Sequence, residues 1–357
     1  MKKLLPFLLI ALAALSCTPA QRYIRIDGYA QGGTYTVKIN VAGVSVPPEE
    51  IRDSVEAILT SIDTTLSGYN KGSQLSRLNA GETIVPNSLF RDMYALAYDW
   101  FEKSEGALDF AAGPLYDAWG FGFREGSLPD DATVAALREQ CGMKHLLRRI
   151  PDGPVSMSDL STDRNLDQAE RAEKSLSLNF NAIAQGYSCD LVAAYLYSIG
   201  VKDMLVDIGE IWCDGVNPSK APWSVGIDLP YDRPADGSDT SGSELQGIWS
   251  SEGKPCGIVT SGNYRKYYVK DGKKYAHTVD PRSGYPVDHQ LLSATIVSPS
   301  SAADADALAT LCMVIGPEKA KELILSSEGI EGYLVCEAEG GAMEGWASPG
   351  FALTDER

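Results

Sequence analysis

Two different apolar periods stand side by side near the start of this chain, and their adjacency constrains the fold more than any other feature. Residues 34–41 alternate as a half-buried strand does, whereas Ile51, Val55, Ile58, Leu59, Ile62 and Leu66 recur at helical spacing behind Pro47, Pro48, Glu49 and Glu50, which suit a first turn. The mixture continues downstream. Further helices are predicted over 88–104, closed by Gly106, over about 131–140, and from near Gly186 to Ser198, stopping at Gly200. Strand-like runs lie at 204–208, 223–227, 264–269, 291–297 and 332–336. No regular βαβ alternation and no fixed-period repeat connects them, so the expected class is α+β rather than a doubly wound sheet. Residues 151–173 and 231–244, rich in Asp, Ser, Gly and Pro, read as surface loops.

The first residues set an expectation about compartment. Lys2 and Lys3 precede an apolar run over 4–15, and Ser16 stands just before Cys17, which is the pattern of an export signal peptide. The run is too short to span a bilayer as a mature helix, and Thr18, Pro19 and Ala20 make no stop-transfer flank. Ala14, Leu15, Ser16 and Cys17 together look like a relaxed bacterial lipobox, in which the cysteine thiol receives a diacylglyceryl group and becomes the new N-terminus. The expected organisation is a lipoprotein signal peptide (1–16), a linker (17–28) behind lipidated Cys17, and one large domain (29–355) facing the periplasm. Acyl chains contribute about 0.8 kcal/mol per buried CH2, so two or more hold a soluble domain durably at a membrane surface.

A hydrophobic fraction of 44% is ample for a core, and a net charge of −17 argues against a nucleic-acid partner. An anionic substrate on so acidic a chain needs a metal or local basic groups. Six cysteines follow Cys17, at 141, 189, 213, 256, 312 and 336, without a CxxC pair or a histidine at zinc-ligand spacing. Their even number permits disulfides in an oxidising compartment, but the apolar helical settings of Cys189 and Cys312 suit buried thiols, and no bridge is assigned.

Chemistry-bearing residues concentrate between Thr260 and Thr310. In SAADADALATLCMVIG, from Ser301 to Gly316, the serine suits a helix cap, and Asp306 and Thr310 are four apart, which stacks their oxygens on one helix face. A carboxylate and a hydroxyl so placed can ligate magnesium, which typically takes one or two carboxylates and completes its octahedron with phosphates and water. They equally suit a helix whose acidic residues merely complement its N-terminus. Upstream, AHTVDPRSGYP crowds His277, Asp280 and Arg282 into a turn, where His277 can serve as a general base and Arg282 can meet a phosphate, or all three can decorate a surface bend. His145 and His289 read as surface residues. Thr260, Ser261 and Gly262 suggest a tight turn at a strand entrance, fit for a phosphate or for an ordinary hairpin. Earlier, GALDFAAGPLYDAWGFG and LNFNAIAQGYSCD mix glycines with aromatics and amides. Trp119, Phe121 or Phe123 can border a flat ring, and the backbone before Gly186 can offer a carbonyl to a cation and amides to a phosphate.

In order along the chain, QGGTY, SGYNKGSQLSRLN, GALD with GPLYDAWGFG, NFNAIAQGYSCD, VDIGE, TSGNYR, HTVDPRSGYP and DADALAT resemble the ApbE family of FAD:protein FMN transferases, lipoproteins once linked to thiamine biosynthesis. The likeness covers nearly the whole mature chain. It implies an ApbE-like, T-fold-related α+β domain that binds FAD and splits it at the pyrophosphate, passing FMN to a threonine hydroxyl of an acceptor protein, such as an Nqr or Rnf type subunit, and releasing AMP. Mg2+ is the implied cofactor. Matching the family pattern, Asp306 and Thr310 would be its side-chain ligands, Ala182 would give a backbone carbonyl and Ala309 another, and His277 would take the threonine proton. Gln31, Tyr69, Ala107, Leu108, Asp109, Asn179, Gln185 and Thr278 match positions that line the FAD site in relatives.

The sequence departs from the family pattern at several of these positions. Gln31 and Gly33 replace the Met and Thr of an MGT motif, Gln185 stands where Lys is common, Asn179 replaces a frequent Asp, and VDIGE lacks the second glycine of the usual pair. The metal and base residues are retained, so ligand orientation is more in question than reaction class. Two other activities fit the same residues: an FAD pyrophosphatase that lets water attack, and a lipoprotein that binds FAD without turning it over.

Overall fold

The computed structural model describes residues 21–121, 128–162, 176–230, 245–263, 267–270, 273–276, 278–338 and 340–354. His277, Cys17 with its leader, Tyr264, Arg265, Phe123, the 231–244 loop and most of the second half of the 151–173 loop lie outside them.

A strongly bonded hairpin opens the fold. Strand β1 (Tyr23–Ala30) pairs antiparallel with β2 (Gly33–Asn40) over its full length. The segment expected as a linker therefore becomes a strand from Tyr23 onward. Helix α1 (Pro48–Leu66) follows, with Pro near its start and Glu49 and Glu50 in its first turn, and it buries Ile51, Val55, Leu59, Ile62 and Leu66 along one face. Each is at most 4% exposed, a gain of roughly 1.5–3 kcal/mol per side chain over exposure. Next come α2 (Gln74–Asn79), α3 (Ser88–Lys103), α4 (Gly113–Ala118), α5 (Asp131–Gln140), the short α6 (Met157–Leu160) inside the expected 151–173 loop, and α7 (Ala184–Ser198).

Strands β3 (Met204–Asp207), β4 (Ile211–Asp214), β5 (Ser224–Asp228), β6 (Leu245–Ser250) and β7 (Cys256–Gly262) then precede two ribbons, β8 (Tyr267–Lys270) with β9 (Lys273–Ala276) and β10 (Val279–Asp280) with β11 (Tyr285–Pro286). The chain ends with β12 (Leu291–Ser298), α8 (Ala302–Ile315), α9 (Pro317–Ser326), β13 (Glu331–Glu337), β14 (Met343–Ala347) and β15 (Leu353–Thr354).

An eight-stranded antiparallel sheet, ordered β1-β2-β3-β4-β7-β12-β13-β14, forms the middle layer. Helices cover one face, and the three-stranded sheet β15-β6-β5 covers the other. Side chains of the central strands alternate between two cores accordingly. Met204, Val206, Trp212, Val259, Ile296 and Leu334 join the helical core, while Leu205, Cys213, Cys256, Ile258, Val297 and Val335 join a smaller one with Trp223, Trp249 and Phe351. The mixed, non-βαβ arrangement is the expected α+β class.

Close packing at α8 positions everything that follows. The helix is apolar all round and buried on nearly every side, with alanine at 302, 303, 305, 307 and 309. These small side chains let two other backbones approach. A β-carbon on Gly186 of α7 would stand 2.3 Å from the Ala302 carbonyl oxygen, and one on Gly257 of β7 would stand 2.5 Å from the Ala302 Cα. Glycine at both positions is thus a steric requirement of the α7–α8–β7 junction.

Candidate active site

The junction is locked by a carboxylate that the sequence reading left unassigned. Asp190, on α7, accepts the backbone N–H groups of Ala302 and Ala303 at 2.8 and 2.9 Å, and so caps the N-terminus of α8 from a neighbouring helix. Ser301 caps the same helix in the expected way, accepting the Asp304 N–H at 2.9 Å. Asp304 itself is held by Trp100 and Ser300, which donate to its two carboxylate oxygens.

One turn further along α8, Asp306 reaches back to α7. Its Oδ2 accepts the Gly186 N–H at 3.1 Å, and the residue is only 5% exposed. Gly186 is the third residue of α7, where a backbone amide has no acceptor within its own helix, and the Asp306 carboxylate supplies one. Ala182 lies just before the helix cap at Ile183, and among the described residues no backbone amide donates to its carbonyl. Burial pushes the Asp306 carboxyl well above the ordinary range, and Asp190 nearby adds repulsion. No Lys, Arg or His among the described residues forms an ion pair with it. A buried carboxylate in that position is costly unless a cation joins it.

Thr310, a further turn along, places its hydroxyl 3.4 Å from that of Ser261, on the last turnless stretch of β7. Thr260, Ser261 and Gly262 do not form the expected tight turn. They are strand residues paired with Thr295, Ala294 and Ser293 of β12, and the Thr260 and Thr295 hydroxyls meet across the ladder at 2.8 Å. Just beyond, buried Asn263 accepts the Thr278 hydroxyl at 2.6 Å, which draws the residue after His277 to the same strand end. No cluster of three or more His, Cys, Asp or Glu gathers among the described residues, so a cation here would rest on one carboxylate with hydroxyl and carbonyl oxygens. That donor set is hard and oxygen-only, and it suits magnesium with phosphate and water. Ala309 is the weaker carbonyl candidate, since it lies inside α8 where the helical ladder already uses such groups.

Several assigned FAD-lining residues surround the start of α7. Gln31 lies in the β1–β2 turn with φ +52°, and its amide donates to the Ser188 hydroxyl. Gln185 donates to the Ile208 carbonyl at 3.4 Å, beside Gly209 of VDIGE, where φ is +91°. Buried Asn179 accepts the Asn181 N–H and donates its own N–H to the Phe110 carbonyl, which lays the 177–179 segment along 110–113. Asn79, whose role sequence reasoning missed, holds the same segment by exchanging two hydrogen bonds of 2.8 Å with the Leu178 backbone. Tyr69 is a large aromatic left 66% exposed on a rigid loop, where Ser67 accepts the N–H groups of Tyr69 and Asn70 and Asn70 donates to Asp63.

Other assigned residues serve the protein itself. Ala107 and Leu108 are buried to 1% and 4% exposure, and their N–H groups already bond the Ser104 carbonyl and hydroxyl. The Asp109 Oδ1 accepts the N–H groups of Ala111 and Met143 at 3.0 and 2.8 Å, and burial pushes this carboxyl up to about 6. Trp119 is buried and donates to the Gly284 carbonyl, so it packs beneath the β10–β11 ribbon instead of bordering an open ring site. Arg282 is held by both oxygens of Asp280, and the pair stiffens the ribbon in place of the expected phosphate contact. His289, expected at the surface, is half-buried with Nε2 3.0 Å from the Met313 carbonyl near the end of α8, and burial lowers its pKa. His145 is likewise half-buried, against the Glu139 carbonyl.

Comparison with known proteins places this chain among flavin transferases. A model of the ApbE family matches residues 32–334. The FAD:protein FMN transferase of Escherichia coli K12 is 31% identical over 311 residues, 85% of this chain and 81% of that protein. The protein of the same name from Haemophilus influenzae is 29% identical over the full length of both. Among solved structures, the apo form of Pseudomonas stutzeri flavinyl transferase ApbE is similar with a TM-score of 0.75 at 32% identity, covering 92% of this chain and 95% of that one. Flavin transferase ApbE from Vibrio cholerae gives a TM-score of 0.73 at 27% identity, covering 92% and 98%.

Proposed function

This chain belongs to the ApbE family, and from that premise we propose that it is an enzyme which transfers FMN from FAD to a threonine hydroxyl of an acceptor protein and releases AMP. The observation that carries the proposal is the Asp306 carboxylate, buried with no cationic partner among the described residues, bonded to the Gly186 amide of α7 and one helical turn from Thr310. Mg2+ is the cofactor of this reading, held by Asp306, Thr310 and the Ala182 carbonyl, and when bound it neutralises charge on pyrophosphate oxygens.

The remaining work falls to the chain's own residues. Tyr69, Gln31 and the 179–185 segment orient the flavin, and the Ser261 hydroxyl, 3.4 Å from that of Thr310, can donate to a phosphate oxygen. His277 accepts the proton of the attacking threonine, whose oxygen forms a bond to the FMN phosphorus as the bond to AMP breaks. Asn263 fixes Thr278 by the 2.6 Å hydrogen bond. We place the enzyme at the periplasmic side of a bacterial membrane, anchored at Cys17, with Nqr or Rnf type subunits as acceptors. No helix among the described residues is long and apolar enough to cross a membrane.

Incubation with FAD, Mg2+ and such an acceptor should add an FMN-sized mass to one threonine. Release of free FMN and AMP without an adduct on any acceptor would favour a pyrophosphatase, and FAD left intact would favour a binding protein. Asp306→Ala should abolish Mg2+-dependent turnover while FAD still binds, and His277→Ala should lose transfer with binding kept. Wild-type rates in either variant would remove that residue from its role.

A further inference from the structure

Two cysteines of the smaller core face each other across neighbouring strands. Cys213 of β4 and Cys256 of β7 are direct partners in the antiparallel register, and their sulfurs stand 3.8 Å apart. Both are buried, at 0% and 5% exposure, among Trp223, Ile227, Trp249 and Ile258. Opposed residues of an antiparallel ladder have Cα atoms about 4.5–5.5 Å apart, inside the roughly 4.4–6.8 Å that a disulfide spans. Rotation of the two side chains is then enough to bring sulfur to sulfur without moving either strand. Among the described residues no other two thiols make such a contact.

We propose that Cys213 and Cys256 form a disulfide that staples β4 to β7. Each thiol gives up its proton, one S–S bond replaces two S–H bonds, and the electron pair passes to a disulfide-bearing thiol oxidant, which leaves as two thiols. In the folded protein the contact with Cys256, together with burial, holds the Cys213 thiol far above the usual range, so little reactive thiolate exists there. The bridge therefore forms while the strands are pairing, and the tryptophans then shield it. It is a structural cross-link, and it ties down the strand whose other end carries Ser261 at the active site. The cysteines are 43 positions apart, a span that includes β5 and β6, so the bridge restrains a long excursion of the unfolded chain.

The test is a non-reducing peptide map of the full chain after refolding from the reduced, denatured state in a mixture of reduced and oxidised glutathione. A cross-linked peptide joining Cys213 to Cys256, lighter by two hydrogens than its separated halves, is expected, with Cys141, Cys189, Cys312 and Cys336 still open to alkylation. Reduction, or the Cys213→Ser variant with Cys256→Ser, should lower Tm by roughly 5 °C. Quantitative alkylation of both cysteines after refolding, or a bridge to a different cysteine, overturns the pairing. The oxidant rests on the export reading, which is tested separately. Protein from cells with both thiols free, alongside bridging on refolding, would support the pairing and overturn the oxidising location.

Discussion

Asp109 shows how a residue recognised by motif can carry a different physical duty. A single oxygen, Oδ1, takes the amides of both Ala111 and Met143, so an amide side chain at this position can keep both bonds. Asp109→Asn should therefore preserve the fold, whereas Asp109→Ala leaves two amides unpaired at about 1–3 kcal/mol each. The pH dependence separates charge from shape. Because the folded protein raises this carboxyl from 3.8 to about 6, it holds the proton more tightly than the unfolded chain does. Its contribution to stability is full below the unfolded value and declines as pH rises through that window. Urea midpoints for wild type and Asp109→Asn should thus shift in favour of the variant on going from pH 4 to pH 7. Equal shifts in the two proteins would show that the carboxyl does not titrate there. The placement of Asp306 and Thr310 one turn apart on a single helix was legible at this scale, because a four-residue spacing has one geometric meaning there. Asp190 was not, since its partners are backbone amides 112 and 113 positions away.

At the scale of elements, strands buried on both faces announced themselves as apolar runs, as in β3, β12 and β13. Strand β7 did not, because Gly257 and the small hydroxyl residues at its end replace the bulky side chains that mark a strand. Gly257 is there to admit α8, and Ser261 to meet Thr310. Packing demands hid the secondary structure from the pattern. Strand β1 was missed for a related reason: only Ile26 is fully buried along it, and Arg25 and Asp27 pair on its exposed face. The α7–α8 contact should be correspondingly intolerant. Gly186→Ala puts a methyl against a carbonyl oxygen and should cost about 1–3 kcal/mol by overpacking. It should also raise the Mg2+ concentration needed for half-maximal turnover by severalfold, since the displaced helix carries the Gly186 amide away from Asp306. Gly257→Ala, on the opposite flank of α8, should lower stability by a similar amount. If Gly186→Ala lost stability with an unchanged Mg2+ requirement, the amide would have no part in shaping the metal site.

Across the whole molecule, the proposed site draws on both ends of the chain, from the β1–β2 turn to α8, and so ligand binding reports on the complete fold. FAD with Mg2+ at a hundred times its dissociation constant should stabilise the protein by about 2.7 kcal/mol, visible as a Tm increase of several degrees. FAD with a chelator should give a smaller increase, and an equal one would place the metal outside the site. The acidic surface, with a net charge of −17, makes the distinction sharp, because an anionic ligand gains most where a divalent cation offsets that charge.

The early start of β1 has a consequence for reach. With the first strand residue at Tyr23, a lipid at Cys17 leaves six residue steps between bilayer and fold, no more than about 20 Å even fully extended. The enzyme of our proposal would work on a short leash, patrolling only the layer next to its membrane. Acceptors carried in that same layer are within range, and proteins passing freely through the compartment meet it only by approaching the surface. Inserting some thirty Gly and Ser residues after Cys17, a coil of roughly 30 Å, should leave labelling of a soluble acceptor in detergent unchanged and alter labelling of a membrane-bound one.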